Sequence, residues 1–599
     1  MAKSKSREPA RKASFQGSLF ADGAEKTAAP KAKTTADSGE SAKKSSGKKS
    51  SGKPKTQKKR AKKSAYATAE SMAKSQREIS ISEFFAKNRH LLGFDNPRKA
   101  LLTTVREAVD NALDACEEAG ILPEIRVEIE QISDTNYIVA VQDNGPGIVK
   151  RQIPNIFGKL LYGSKFHRLR MSRGQQGIGI SAAGMYGLLT TGQPVKITSR
   201  TRGRGKAHYY ELQIDTRKNR PVIMTDEQVD WEPKHGTRVA ITLEARYQRG
   251  KQSVDEYLRQ TAIANPHVAI TYVAPDDQIE EYPPAVKELP ALPKEVKPHP
   301  HGIELGILLK MMQDTRARRI QQFLTQEFSR VSPRMAKEIL SKAKIPEQRN
   351  PRRLGVDQVK AIYKAIQTTK ILAPATNCVV PIGEDQLQAG LEQVVDAGFY
   401  TSVTRKPSVY RGNPFIIEAA MAFGKPEPKD EEGKKKPKRK KKSDDDDNEP
   451  LARVLRFANR VPLQYQQGAC AITRCVSDIN WRSYGLSQSR GALPTGNLTV
   501  AVHIASVWVP FTSESKEAIA SYPEILKDIR LALQECGRKL GRHIKRTNRI
   551  KQELKKRSYI QKYIPAIGEA LRDILDLDEK QVDAACGELK DVLERSRKL

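Results

Sequence analysis

Apolar and polar positions along this chain follow two different periods, and each period predicts a different element. Between residues 96 and 119 a spacing of three to four residues predicts one helix, with apolar residues at Leu101, Val105, Ala108, Val109, Ala112 and Leu113. The segments IRVEIEQI and NYIVAVQDNG then alternate between apolar and polar residues, which predicts a strand hairpin that ends near Asp143. RVAITLEARY, after Thr237, predicts a further strand. The first half of the chain therefore mixes helices with strands.

The second half begins with helices and returns to strands. Residues 299–374 contain several amphipathic segments and predict a helical block in which Ser332 or Pro333 opens one helix. The pattern then changes to strands and helices, including the strand segments RVLRFANRVPL and NLTVAVHIASVWVPF. We expect the last strand to end at Phe511 and a long helix to begin at Glu517. The C-terminal stretch is again helical in its pattern.

Charge narrows the class of protein. The chain of 599 residues carries 105 Lys and Arg against 70 Asp and Glu, a formal net charge of +35. This excess disfavours a neutral metabolic enzyme and points to a polyanionic partner, either nucleic acid or an anionic membrane surface. No run of about 18 apolar residues exists to span a bilayer, and the first residues are too polar for a secretory signal. Six cysteines without C-x-x-C pairs indicate a reducing compartment and no structural metal. We therefore expect an intracellular protein of the cytoplasm or nucleoid, with no membrane partner.

Two stretches lack the pattern of a packed core. Residues 1–63 hold 19 Lys and Arg against 5 Asp and Glu with few large apolar residues, so we expect a disordered basic tail over 1–77 that contacts phosphates non-specifically. A targeting signal or partner-binding peptide is the alternative. Residues 425–449 form a charged disordered linker. Within the tail, Gln16 to Phe20 resembles the peptide that docks bacterial proteins onto the replication sliding clamp, which makes that clamp a candidate partner.

Two groups of polar residues suggest a nucleotide site. Glu107 and Asn111 lie four residues apart in the predicted helix and share one face. A carboxylate there can take a proton from an attacking water, and a carboxamide oxygen can ligate a hard cation such as Mg²⁺. After the hairpin, Asp143 offers an acceptor for an exocyclic amine, while Gly145 and Gly147 allow close backbone approach. Each group taken alone is better explained by an exposed polar helix face or an ordinary turn.

A glycine-rich segment supplies the third group. Gly174, Gly177 and Gly179 lead into a small-residue helix start whose N–H groups could hold phosphate, and Ser164 and Lys165 stand in the loop before it. The order differs from the Rossmann βαβ unit because the glycines follow a long polar loop. No G-x-x-x-x-G-K-S/T phosphate loop is present in the sequence.

These motifs together resemble a known fold. The ordered set of 107–111, 143–147, 174–181 and the Gly236-Thr237 pair at a strand entry is similar to the Bergerat ATP-binding fold of gyrase B, Hsp90, histidine kinases and MutL. The chain resembles the B subunits of the topoisomerase VI family from about residue 79 to about residue 546. The resemblance is carried by the segments REAVDNALDACEEAGILPEI, YGSKF and RGQQGIGISAAGMYG.

The resemblance implies roles for individual residues. Glu107 would be the general base for the hydrolytic water, and Asn111 would bind Mg²⁺. Asp143 would recognise the adenine amine of ATP, and Thr237 would support Asp143 through a hydroxyl or a water. Lys516, in the loop after the last strand, would be the switch lysine that reaches the γ-phosphate. Further nucleotide contacts would come from the turn and from a lid that closes over the phosphates, formed by Gly145, Gly147, Ser164, Lys165, Gly174, Gln175, Gln176, Gly177, Ile178, Gly179, Ile180 and Ser181.

The implied fold class is α+β with several domains. The expected order is a disordered tail at 1–77, a Bergerat ATPase α/β sandwich at 78–298, a helix-two-turn-helix domain at 299–374, an α/β transducer domain with a long C-terminal helix at 375–424 and 450–560, the linker at 425–449, and a C-terminal helical extension at 561–599.

The resemblance also implies partners. ATP would dimerise two such chains through the segment Ile79 to Arg89 and clamp duplex DNA, and a separate A subunit would cut the second duplex within an A2B2 heterotetramer. The assembly would relax or decatenate DNA. The alternatives are a MutL-like repair ATPase, an Hsp90-like chaperone and a non-catalytic ATP-gated DNA clamp. The helical block at 299–374 argues against the first two and Glu107 against the third, while DNA contact by that block and a merely solvated basic face both stay open.

Overall fold

The computed structural model describes residues 69–76, 78–165, 168–174, 177–203, 205–424, 450–513 and 515–596. The sliding-clamp-like peptide at 16–20, Gln175 and Gln176 of the expected lid, and the linker at 425–449 lie outside these ranges. Within them, no helix combines the length and apolar character needed to cross a bilayer.

The first described element corrects one expectation. Helix α1 spans Ala69–Ser75 and belongs to a unit of its own that ends at Gln76. We expected disorder through residue 77, whereas residues 69–75 are helical. The segment AESMAKS consists largely of strong helix formers, which favours this local structure. The basic composition of the residues before it does not extend into this segment.

An eight-stranded sheet forms the scaffold of the first domain. Its strand order is β5-β4-β3-β6-β2-β1-β7-β8, and all neighbours are antiparallel except β1 and β7. The elements are α2 Ile81–Lys87, α3 Pro97–Glu118, β1 Glu124–Gln131, β2 Asn136–Asp143, α4 Ile153–Gly158, α5 Gly179–Thr191, β3 Val195–Arg200, β4 Ala207–Asp215, β5 Arg220–Val229, β6 Gly236–Glu244, α6 Val254–Ala264, β7 Ala269–Val273 and β8 Ile279–Tyr282.

The helices α3, α5 and α6 share one apolar core with this sheet. Alternate residues of β1 are buried at Ile125, Val127 and Ile129, while α3 buries Val105 and Leu113 completely. Each fully buried aliphatic side chain of this kind contributes roughly 1.5–3 kcal/mol. Asn96 caps α3 by accepting a hydrogen bond from the Lys99 N–H at 2.8 Å, and Pro97 occupies the first turn. The predicted helix and hairpin are therefore both present.

A helical block with a separate core follows. It consists of α7 Leu305–Asp314, α8 Ile320–Glu327, α9 Pro333–Ala343 and α10 Val356–Thr368. Ser332 caps α9 by accepting from the Met335 N–H at 3.3 Å, as its position before Pro333 predicted. Phe323 is fully buried at the centre and stacks edge-on against Phe328 at 5.7 Å between ring centroids.

A second sheet forms the remaining folded part. Its order is β10-β11-β16-β12-β13, with β9 paired to β11, and β12 runs parallel to β16. A separate hairpin joins β14 to β15. The elements are α11 Glu384–Val394, β9 Phe399–Thr404, β10 Ser408–Tyr410, β11 Asn413–Phe423, β12 Arg453–Ala458, β13 Val461–Pro462, α12 Ala471–Asp478, β14 Ser487–Gln488, β15 Pro494–Thr495, β16 Leu498–Ser506, α13 Pro523–Leu575 and α14 Glu579–Ser596.

Two predicted boundaries near the C-terminal helix were wrong. Strand β16 ends at Ser506 and not at Phe511, and helix α13 begins at Pro523 and not at Glu517. The intervening chain folds back on itself, because the Ala520 N–H bonds to the Pro510 carbonyl at 2.8 Å. Proline in the first turn favours a helix start, since its φ is preset and it needs no partner for an N–H group. Helix α13 then continues for 53 residues, about 80 Å.

The separate helical core gives a first testable prediction. Phe323→Ala removes a fully buried ring and should destabilise this block by roughly 3–5 kcal/mol, because the cavity left behind cannot collapse completely. Hydrogen exchange of α8, α9 and α10 should accelerate, while exchange in α3 and β2 stays unchanged. Ile307→Ala, at a half-exposed position of α7, is the matched control. Equal acceleration in α3 would show that the block has no independent core.

Candidate nucleotide site

Helix α3 presents its polar face to a cavity of about 640 Å³. Glu107 and Asn111 both line this cavity, as their spacing predicted, and the Glu107 side chain is 26% exposed. The Arg106 guanidinium lies 3.1 Å from Glu107 Oε1. The volume falls within the range of pockets that hold a small organic ligand.

The start of helix α5 lies directly against the Glu107 carboxylate. A Cβ atom built on Gly179 would stand 1.8 Å from Glu107 Oε2, so only glycine permits this approach. Ile178, the residue before the helix, provides no side-chain cap. Among the described residues, no side chain caps the first N–H groups of α5, and the positive end of the helix dipole favours an anion at this position.

At the other end of the cavity, Asp143 closes strand β2. Its Oδ1 accepts hydrogen bonds from the Gly145 N–H at 2.8 Å and the Thr237 N–H at 3.2 Å. Burial raises the pKa of Asp143 to about 6, although these two hydrogen bonds and nearby His235 act in the opposite direction. Within the described residues, the second carboxylate oxygen accepts no hydrogen bond from the protein. It can accept from a ligand.

Backbone contacts fix the turn after Asp143. A Cβ atom on Gly147, whose φ is +73°, would stand 2.0 Å from the Arg200 carbonyl oxygen. The Thr237 hydroxyl lies 3.1 Å from the Ser199 hydroxyl, so it is Thr237's N–H that contacts Asp143. This differs from the expected support through a hydroxyl or a water.

The described part of the expected lid lies along the same cavity. Its cavity-lining residues are Ser164, Lys165, Gly174, Gly177, Ile178, Gly179, Ile180 and Ser181. Lys165 Nζ is bound to Asp114 Oδ2 at 2.5 Å. The Ser181 hydroxyl donates to the Ile156 carbonyl at 2.8 Å, which ties α5 to α4. Both side chains are thus occupied by protein partners in this conformation.

Lys516 reaches the cavity from the second sheet. It lines the cavity together with Ser515, in a loop closed by a bridge between Phe511 and Ile519. The adjacent Glu517 is buried and its Oε1 lies 2.6 Å from Lys99 Nζ, in the first turn of α3. Burial lowers the pKa of Lys99, but Glu517 and Asp95 outweigh this effect and raise it above the ordinary value. The loop that carries Lys516 is therefore tied to the helix that carries Glu107.

Sequence reasoning missed a buried arginine beside the site. Arg173 precedes the lid glycine Gly174, and its side chain is 4% exposed. It binds Asp114 Oδ1 at 2.8 Å and Glu117 Oε1 at 2.6 Å, both on α3. Three charges of this kind are seldom buried unless they are paired, so they form one unit. The sequence did contain a signal for this cluster: residues 107, 111, 114 and 117 lie on the same face of the predicted helix, so the helical period places Asp114 and Glu117 beside the site residues.

Ligands for a metal ion are few. Among the described residues, no group of three or more His, Cys, Asp or Glu side chains is arranged to hold a metal ion. The exposed carboxamide of Asn111 is a hard oxygen donor beside Gly174, whose Cβ would stand 3.8 Å from Asn111 Oδ1. This suits Mg²⁺, which binds through one or two protein oxygens together with substrate phosphates and water.

Two family models match the chain. Residues 96–246 match the histidine kinase-, DNA gyrase B-, and HSP90-like ATPase, and residues 374–556 match the topoisomerase VI B subunit transducer. The first covers α3, β2, the lid and β6, and the second covers the sheet from which Lys516 extends. A MutL-like or Hsp90-like protein would not account for the second match.

Curated relatives match most of the chain. It is 46% identical over 85% of its length to the type 2 DNA topoisomerase 6 B subunit of Methanococcoides burtonii, of which 79% is covered. Proteins of the same name from Methanosarcina mazei and Archaeoglobus fulgidus are 45% and 44% identical over 86% of this chain, with 80% and 82% of those proteins covered. With the ATPase cavity and the transducer sheet both matched, the chain belongs to the family of type 2 DNA topoisomerase 6 B subunits.

Proposed function

We propose that Glu107 is the general base of ATP hydrolysis in this type IIB topoisomerase subunit. The observation that carries the proposal is the position of the Glu107 carboxylate across Gly179 from the uncapped start of α5. Phosphates held by those N–H groups would bring the γ-phosphate beside Glu107, where a water between them could lose its proton to the carboxylate. The neighbouring Arg106 guanidinium holds the carboxylate in its orientation.

Recognition of the base falls to the other end of the cavity. The remaining acceptor of Asp143 is suited to the exocyclic amine of adenine, while the Gly145 and Thr237 N–H groups hold the carboxylate in place. Gly147 brings the turn close to the β3 backbone and lines the same cavity.

Asn111 is the residue that would hold Mg²⁺. When bound, the ion would neutralise charge on the phosphates and fix their geometry. Asn111 contributes an uncharged oxygen, so the phosphates supply the negative charge that the ion requires. Lys516 extends from the second sheet into the same cavity, and we assign it the contact to the γ-phosphate.

The wider cycle follows from these assignments. ATP would order the lid and draw in Lys516, two chains would dimerise through 79–89, and duplex DNA would be held between them. The partner A subunit would make the double-strand break within an A2B2 assembly. The domains that would move relative to one another in this cycle are those expected above, at 78–298, at 299–374 and in the two transducer parts. Because its substrate is chromosomal DNA, we expect the protein inside the cell, in the cytoplasm or nucleoid.

Glu107→Gln tests the catalytic assignment. The amide keeps the shape but cannot take a proton, so kcat for ATP should fall by roughly 10²–10⁴ while nucleotide binding persists. Turnover should be measured with and without duplex DNA. Glu118→Gln, on the same helix but outside the cavity, is the control and should retain activity. Unchanged turnover in Glu107→Gln would refute the assignment.

Gly179→Ala tests the close approach of α5 to Glu107. The added methyl group would overlap the Glu107 carboxylate, so the carboxylate and the start of α5 must separate. The N–H groups proposed to hold the phosphates then shift, and ATP affinity should weaken by roughly tenfold, about 1.4 kcal/mol. Calorimetric titration with a non-hydrolysable ATP analogue measures this directly. Gly306→Ala adds a methyl group in α7 where nothing lies within 4 Å, and it should bind as the wild type does.

The pKa of Asp143 predicts a pH effect on base recognition. Above pH 6 the carboxylate is ionised and accepts from the adenine amine. Below it, the free oxygen carries a proton and becomes a donor that faces the donor amine, so affinity for ATP should fall by at most about tenfold per pH unit. The ratio of ATP to inosine triphosphate affinity cancels titration of the phosphates and isolates the base. In Asp143→Asn this ratio should not change between pH 5 and 7. If the ratio falls as steeply with falling pH in this variant as in the wild type, Asp143 is not the group whose protonation weakens base recognition.

A further inference from the structure

The base of the lid, residues 169–173, is built on the second sheet as well as on the ATPase domain. Met171 is buried in an apolar cluster with five residues of the transducer region, Cys378, Val379, Ile416, Ala505 and Val507. Its N–H donates to the Cys378 carbonyl at 2.9 Å. Between the cavity-lining residues Lys165 and Gly174, the lid base therefore packs against the transducer region.

One transducer side chain contacts both the lid base and the strand that leads to Lys516. Asn459 Nδ2 donates to the Ser172 carbonyl at 3.1 Å, and Asn459 Oδ1 accepts from the Ser506 N–H at 2.9 Å. Ser506 is the last residue of β16, ten residues before Lys516. Asn459 is buried and has a φ of +48°, a conformation that asparagine, aspartate and glycine tolerate best.

The ATPase side of the lid base is held by charge. Arg173 is locked between Asp114 and Glu117 of α3, and its guanidinium also donates to Asn265 Oδ1 at 2.5 Å. Asn265 in turn donates to the carbonyl of Arg460, the residue after Asn459, at 3.2 Å. Ser172 is thus bonded directly to the transducer, whereas Arg173 is bonded directly to α3 and reaches the transducer only through Asn265. A shift between the domains must be absorbed by the backbone next to them, which begins the lid at Gly174.

We infer that Asn459 is a positioning residue that couples the lid to the strand carrying the switch-lysine loop. The inference rests on the proposed roles of the lid and Lys516 and adds a second connection between them, one that does not pass through the nucleotide. When β16 moves with the transducer, Asn459 moves the Ser172 carbonyl with it, while Arg173 stays with α3. The lid glycines are displaced as a result, so lid closure and the position of Lys516 change together.

Asn459→Asp separates this role from a merely structural one. The carboxylate keeps the acceptor for the Ser506 N–H and tolerates the same φ, but it cannot donate to the Ser172 carbonyl and repels it. Asn459→Gly also tolerates the φ and removes both bonds, which provides a second variant if the first does not fold. Asn497→Asp is the matched control, because Asn497 makes the same kind of bond, to the Gly424 carbonyl at 2.8 Å, at an exposed site of the same domain.

The test is a double-mutant cycle on the full chain assembled with its A subunit. ATP turnover, and hydrogen exchange of the lid with a non-hydrolysable ATP analogue, are measured for wild type, Asn459→Asp, Lys516→Ala and the double variant. We expect Asn459→Asp to lower kcat roughly three- to tenfold with a smaller change in KM, to speed lid exchange, and to reduce the further loss caused by Lys516→Ala. Asn497→Asp should match the wild type.

Each outcome decides one question. Equal losses from Lys516→Ala in both backgrounds, with lid exchange as in the wild type, would overturn the coupling and leave the proposed function intact. If Lys516→Ala has no effect on turnover in the wild type, the proposed role of Lys516 is wrong. The link from Asn459 to the lid is then tested by hydrogen exchange of the lid in Asn459→Asp and Asn459→Gly. Unchanged lid exchange in both of these variants would overturn it.

Discussion

The packing of helix α3 against its sheet is the constraint on which the rest of the site depends. One face of the helix is apolar and buried, which fixes its rotation about its axis. The opposite face must then present Glu107, Asn111 and Asp114 in a row, one turn apart. Lys99, at the start of the same helix, receives Glu517 from the second sheet. The residues proposed for catalysis and metal binding and one contact between the domains therefore share a single rigid element, which couples them to one another.

Burying that much charge has a cost that the structure offsets by pairing. Asp114 receives both Lys165 and Arg173, and Glu117 receives Arg173 and the ring of His267 at 2.8 Å. These contacts hold the pKa values of Asp114 and Glu117 below their ordinary ranges, although burial acts in the opposite direction. A network of this kind is weak support for stability, since apolar residues could fill the same space. It is better suited to defining one arrangement of lid, helix and transducer.

In an ATPase subunit of a type 2 DNA topoisomerase, a single defined arrangement of lid, helix and transducer matters because the nucleotide is small and the domains are large. A phosphate contact can bias a conformational equilibrium only by the difference in its affinity for the two states. Rigid connections near the nucleotide convert that difference into a change of domain position, and helix α13, about 80 Å long, can carry the change away from the site. In this arrangement, a small change at the nucleotide would produce a larger displacement at the far end of helix α13.

The sequence by itself determined the elements and motifs that depend on local order. The period of α3, the alternation of β1 and β2, the Ser332 cap and the glycines before α5 were all readable, because helix faces, strand faces and turn residues follow from spacing along the chain. Local order did not determine where strand β16 ends or where α13 begins, since the described residues between them, 507–513 and 515–522, also bond to distant parts of the chain: Lys99 contacts Glu517, and the Ala471 N–H donates to the Ile519 carbonyl. Which polar groups meet is a matter of tertiary packing. The pairs Arg173 with Glu117, Glu517 with Lys99, and Asn459 with Ser172 are separated by tens to hundreds of residues. Their contacts depend on packing within and between the domains rather than on any period in the sequence.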